Sequence, residues 1–249
     1  MKKLIIANLK MNQNATEAKL YFTKLVAGFT SQKCDLVVCP SYVALPIANY
    51  LTVGSPIKLG AQNVSDEENG AHTGEISASM LKDIGAEYVI VGHSERRTKF
   101  KESDKLINKK IKFALKYRLK CVLCIGESLA DRNSGKTYEI LKKQLDEDLR
   151  GLYENELESV VIAYEPVWAI GTGNNASVKD VELAARQIRK VVYENFSEKA
   201  SRDIQVVYGG SLNEKNYSAL ISASGIDGGL FGGSSLSANS FLNMINSLK

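Results

Sequence analysis

Eight short apolar runs recur along the chain about every thirty residues, the size of one βα unit. They span residues 3–9, 35–39, 57–61, 88–91, 121–125, 160–164, 204–208 and 229–231. Most are continuous rather than alternating, the pattern of parallel strands buried on both faces. The last is glycine-rich and is accepted because it completes the rhythm. Amphipathic segments separate the runs. The clearest is 178–196, where Val178, Val181, Ala185, Ile188 and Val192 repeat at helical spacing, with Ser177 and Asp180 as a capping pair at its start. Segments 106–117 and 138–152 carry similar stripes. No linker or low-complexity stretch interrupts the 249 residues. Eight such units in one domain over 1–249 predict an α/β fold, a closed (β/α)8 barrel. A doubly wound open sheet is the alternative, but it calls for a glycine-rich turn after the first strand. Here the first run leads into Asn8-Leu9-Lys10.

Bulk properties exclude several classes. Apolar residues make up 44% and charged residues 24%, as in an ordinary globular protein. The net charge of +4 comes without a dense basic run interleaved with aromatics, which argues against nucleic-acid binding. Lys109-Lys110 and Lys142-Lys143 are expected on solvated helix faces. The N-terminus imitates a signal peptide, but Asn8 and Lys10 interrupt it before the ~7–15 apolar residues of an h-region. No stretch approaches the ~18 apolar residues of a membrane span, so a cytoplasmic protein is expected. Cys121 and Cys124 lie three apart on a strand and face opposite sides, which speaks against a shared metal or disulfide.

In barrels of this kind the site is built at the C-terminal ends of the strands. After the first run stand Asn8 and Lys10, placed on one side if the chain stays extended; a surface turn with a snorkelling lysine is the other reading. After the fourth comes Gly92-His93-Ser94-Glu95-Arg96-Arg97, which puts His93 at a helix start, where positive potential disfavours the imidazolium. After the sixth comes Glu165, then Pro166, an apolar loop with the only tryptophan, Trp168, and Gly171-Thr172-Gly173. A carboxylate at a strand end beside a greasy loop suggests a base that is covered during reaction. Tyr208-Gly209-Gly210-Ser211 and Gly232-Gly233-Ser234-Ser235 follow the last two runs. Two glycine pairs at these places are suited to a phosphate cradle. There is no metal-ligand cluster, no Ser-His-Asp set and no Gly-x-Gly-x-x-Gly after a strand. One carboxylate, one imidazole, one ammonium and a phosphate cradle suit proton transfer beside a carbonyl, with no cofactor.

These motifs, together with Cys124-Ile125-Gly126-Glu127 and the stretch from Ala163 to Gly173, closely resemble the triosephosphate isomerase family along the whole chain. The resemblance implies a TIM barrel that interconverts dihydroxyacetone phosphate and glyceraldehyde 3-phosphate through an enediolate, in glycolysis and gluconeogenesis. It assigns Glu165 as base, neutral His93 as electrophile and Lys10 as charge stabiliser, the pattern known for this enzyme. Asn8 would hold a substrate oxygen, and Glu95 would support Lys10. Gly171, Ser211, Gly232 and Gly233 would supply N–H groups to the phosphate. Pro166, Val167, Trp168, Ala169, Ile170, Gly171, Thr172 and Gly173 would form the lid, latched by Tyr208 and Ser211, with Trp168 meeting Glu127 at its hinge. The loop 62–79, from Gln62 at its start to Ser79 at its end, would enter a partner subunit, with Thr73 approaching the partner's site, giving a homodimer. Departures are Leu9 for tryptophan, Asn174 for lysine, and Phe231 and Ser234 beside the last glycine pair, with Gly229 expected to loosen the eighth strand. Another phosphate-binding barrel enzyme and a catalytically silent scaffold are the rival readings; neither explains the intact Glu165, His93 and Lys10 with this lid.

Overall fold

A computed structural model describes residues 2–30, 32–169 and 176–248. The eight strands are β1 (Lys3–Asn8), β2 (Cys34–Cys39), β3 (Lys58–Ala61), β4 (Tyr88–Val91), β5 (Lys120–Ile125), β6 (Val160–Tyr164), β7 (Gln205–Tyr208) and β8 (Gly228–Phe231). Each pairs in parallel with its sequence neighbours, and β1 also pairs with β8 through Leu4 with Gly228 to Ala7 with Phe231. The sheet is therefore a closed barrel, with every strand beside two others and no free edge.

Alternation along each strand divides its side chains between two cores. Leu4, Ile6, Val37, Cys39, Ile90, Val122, Cys124, Val161 and Leu230 are among those filling the barrel. Ile5, Ala7, Cys121, Leu123 and Ile162 face outward onto the helices. Cys121 and Cys124 thus lie in different cores on opposite faces of β5, as their spacing implied. Burial pushes both thiols up, so they behave as inert apolar groups.

The helix Val178–Asn195 begins on the expected capping box of Ser177 and Asp180 and buries Val181, Ala185, Ile188 and Val192. Val178 itself, the first residue of the helix, stays exposed. The helix expected over 106–117 begins earlier, at Asp104, where the Ser103 hydroxyl caps it. The one expected over 138–152 runs from Thr137 and stops at Asp148.

One expectation is overturned here. Lys110 is not on a solvated face; it is 3% exposed, with its ammonium bonded to Glu102 and to Asn63 Oδ1 at 2.9 Å. The helix Asp104–Lys116 turns that position toward the barrel, where a carboxylate and an amide oxygen replace water. Arg97 is similarly drawn in. Its guanidinium donates to Gly92 O at 2.7 Å, to Cys124 O at 3.0 Å and to the buried Asp148 carboxylate at 2.6 Å. It ties together the exits of β4 and β5, from which His93 and Glu127 emerge.

Nor is β8 loosened by Gly229. A Cβ there would lie 2.9 Å from Phe231 Cε2 and 3.0 Å from both Ile221 Cγ2 and Leu212 Cδ1. The Phe231 ring takes up the space a larger residue would fill and stacks edge-on against Phe241 at 5.5 Å. A small and a large residue two apart thus complement each other on the same outer face. Gly229→Ala is expected to destabilise by about 1–3 kcal/mol, and Phe231→Val in that background to recover part of the loss. A double-mutant cycle by chemical denaturation measures this; strictly additive effects would disprove the coupling.

Candidate functional site

The C-terminal ends of the strands enclose a cavity of about 530 Å³. Asn8, Lys10, His93, Glu95, Glu165, Ser211, Gly232 and Gly233 all line it, and Val167 borders it from the start of the loop after β6. Ile170, Gly171, Thr172, Gly173 and Asn174 lie outside the described residues. Thr73 is exposed on the loop 62–79 and does not line this cavity.

Lys10 reaches the cavity by a different path from the one its spacing suggested. Its φ of 53° breaks the extended chain, so Asn8 and Lys10 are not successive residues on one strand face. The Asn8 side-chain oxygen accepts the Lys10 N–H at 3.0 Å and holds the bend. Gln62 Nε2 donates to Lys10 O at 2.8 Å and to Cys39 O at 2.9 Å, fixing the bend to β2. The Asn8 oxygen is thereby committed to the backbone, which leaves its amide N–H groups as the donors for a ligand. The Lys10 ammonium pairs with Glu95 Oε1 at 2.8 Å. Burial pushes the Glu95 carboxyl up, but the Lys10 partner outweighs it and the net direction is down.

His93 caps the short helix Ser94–Lys99, its Nδ1 accepting the Glu95 N–H at 3.2 Å. A ring nitrogen that accepts carries no proton, so this contact selects the tautomer protonated on Nε2. Nε2 lies 3.1 Å from Glu165 Oε1, while Glu165 Oε2 accepts the Ser94 N–H at 2.9 Å. Glu165 is 2% exposed. Burial pushes its pKa up; His93, the Ser94 N–H and Lys10 together pull it below the usual value. Burial opposes a charged His93, whereas the Glu165 carboxylate beside it favours one, and the net direction is up. That upward pull lasts only while Glu165 is ionised. Once Glu165 takes a proton, Glu95 still favours a charged ring, while burial, Lys10 and the helix N-terminus oppose it.

Glycine allows Glu165 to lie where it does. At Gly209 a Cβ would sit 2.9 Å from Glu165 Cγ, so any side chain there would displace the carboxylate. Beyond Gly232 the chain forms a single 3₁₀ turn, Gly233–Ser235. The N–H groups opening such a turn have no partner within it and suit an oxyanion.

The expected hinge of the loop after β6 rests on Glu127, which is fully buried. Its carboxylate accepts Trp168 Nε1 at 2.8 Å and the Tyr164 hydroxyl at 3.1 Å, and its carbonyl accepts the Val167 N–H at 3.1 Å. Burial raises the Glu127 pKa, and these donors partly offset it. Arg132 stacks on the Trp168 ring at 4.1 Å and bonds Asp180 at 2.9 Å, linking the hinge to the cap of the next helix. On the far side, Tyr208 is buried, and burial pushes its phenol up.

Three contributors were not singled out from sequence: Ser94, Gln62 and Gly209. Ser94 acts through its backbone N–H, which any residue type supplies, and Gln62 acts on a carbonyl 52 positions away. The glycine pair containing Gly209 was visible, but its clearance of Glu165 was not. Glu127→Ala is expected to lower stability by about 1–3 kcal/mol for each buried donor left unpaired. Urea unfolding followed by the single tryptophan reports it directly, since Trp168 loses its Glu127 acceptor; an unchanged midpoint would exclude the hinge as a stabilising element.

Comparison with known proteins bears on this geometry. The sequence model of the triosephosphate isomerase family matches residues 3–248. The triosephosphate isomerase of Dictyoglomus turgidum is 43% identical over 249 residues, covering 99% of each chain. That of Dictyoglomus thermophilum is 45% identical with the same coverage, and that of Treponema denticola 45% over 97% of each chain. With eight parallel strands closed in sequence order and a buried glutamate facing a helix-capping histidine at their C-terminal rim, the chain belongs to the triosephosphate isomerase family.

Proposed function

We propose that this chain interconverts dihydroxyacetone phosphate and D-glyceraldehyde 3-phosphate without a cofactor, in glycolysis and gluconeogenesis. The carrying observation is one buried, ionised carboxylate, Glu165, in the same cavity as the Lys10 ammonium, the His93 imidazole and the glycine turn after β8. Glu165 takes the proton from C1 of dihydroxyacetone phosphate. The C1 electron pair forms the enediolate double bond, and the carbonyl electrons move to the oxygen on C2. His93 Nε2–H donates to that oxygen, with the ammonium of Lys10 and the amide of Asn8 stabilising its charge. His93 moves the hydroxyl proton from the C1 oxygen to the C2 oxygen, the C1 oxygen's electrons form the aldehyde carbonyl, and the double-bond pair takes the proton back from Glu165 at C2.

In the resting arrangement Glu165 is bonded to His93 and the Ser94 N–H. It leaves both to reach carbon, which favours reaction once water is excluded. Glu95 orients Lys10 through their ion pair. Gly171, Ser211, Gly232 and Gly233 serve the phosphate, and the lid 166–173 closes over it, pivoting at Glu127.

The same reading makes the protein a cytoplasmic homodimer. The loop 62–79 is too long for a simple βα connection. Its base is pinned by the Ser65 N–H to Ile76 O at 2.8 Å, by Tyr42 to Asn63 O at 2.6 Å and by Glu68 with Lys116 at 2.8 Å. Its tip, with His72 and Thr73, is left exposed, and so is Met11 beside the site at 96%. A partner that receives this tip would cover such surfaces and stiffen the Lys10 bend.

Glyceraldehyde 3-phosphate with a coupled dehydrogenase, EDTA present throughout, tests the activity. Glu165→Gln is expected to lower kcat by about 10²–10⁴ while inorganic phosphate still inhibits competitively; a near-normal rate would remove Glu165 as base. For assembly, gel filtration across a dilution series should give a dimer, and Thr73→Arg a monomer of much reduced activity. A fully active monomer would refute the dimer requirement.

A further inference from the structure

We propose that the hydroxyl of Ser234 donates a hydrogen bond to a phosphoryl oxygen of the substrate, adding a side-chain donor to a cradle otherwise made of backbone N–H groups; this rests on the isomerase reading above. Ser234 follows the glycine pair directly, sits in the 3₁₀ turn Gly233–Ser235 and lines the catalytic cavity. Its Oγ is buried and has no hydrogen-bond partner among the described residues. Its neighbour differs. Ser235, fully buried, commits its hydroxyl to Gly232 O at 2.7 Å and its carbonyl to the Tyr21 hydroxyl at 2.9 Å. Ser235 therefore holds the turn, and Ser234 does not.

A buried hydroxyl without a partner is unfavourable, and such groups in native proteins call for an explanation. Among the described residues nothing polar holds the Ser234 rotamer, so a turn about χ1 costs no hydrogen bond made there and needs no backbone movement. An anion seated on the N–H groups of the glycine turn offers acceptors beside it. A hydrogen bond to a charged oxygen is among the stronger ones, and the hydroxyl leaves no solvent-bonded state to form it. Alanine at this position would keep the backbone donors and lose this one.

Ser234→Ala and Ser234→Thr are compared with the parent enzyme, by calorimetric titration with inorganic phosphate and by KM for glyceraldehyde 3-phosphate. The alanine variant is expected to raise both the phosphate Kd and KM about tenfold, and threonine, which keeps the hydroxyl, to restore both to within about threefold. Thermal unfolding confirms that each variant is folded. Parent-like phosphate affinity in folded Ser234→Ala would overturn the proposal and leave the isomerase reading untouched. Phosphate affinity that depends on Ser234 in a parent protein without isomerase turnover would uphold the site and sink the isomerase reading.

Discussion

Pairing of β1 with β8 is the constraint on which the remaining structure depends. Parallel strands with short, apolar sequences cannot leave an edge in water without exposing unpaired backbone groups. Closure satisfies both outer strands at once and points every strand the same way. All eight C-terminal ends then meet on one rim. Residues as distant in sequence as Lys10, His93, Glu165 and Gly232 become neighbours because the sheet has closed, not because any local signal joins them.

The rim is a place where charge is kept buried and still satisfied. Glu165 is surrounded by protein, yet two hydrogen bonds and a nearby ammonium hold it ionised. The helix-capping bond to Nδ1 keeps the neighbouring imidazole in the tautomer with its proton on Nε2. Proton uptake by Glu165 changes what His93 experiences, so the two groups titrate as one unit. Supporting ions lie further out. Arg97 binds the exits of β4 and β5 to Asp148, and Arg132 spans Trp168 and Asp180. Each fixes a loop that carries chemistry to a rigid element beneath it.

The strand rhythm was readable because strands buried on both faces demand unbroken apolar runs, and the polar groups of the rim were readable because they stand at strand ends, where packing has no use for them. Partner-dependent features were hidden. Lys110 looks like any solvated helix lysine until Glu102 and Asn63 are seen beside it. The extended path assumed for Asn8 and Lys10 fails because the Asn8 side chain captures the Lys10 N–H, an interaction that selects a left-handed residue. Gly229 reads as a weakness until the Phe231 ring is found filling its space.

Sequence alone determined the strand count, their parallel burial, and which polar groups stand at the strand ends: Glu165, His93 and Lys10 with the glycine turns. Each of these follows from local composition and periodicity, which are written along the chain. Tertiary structure decided which hydrogen bonds those groups make, the tautomer of His93, the ionised state of buried Glu165, and which of two adjacent serines is free. Such properties depend on distances between residues far apart in sequence, and on water displaced only when the barrel closes.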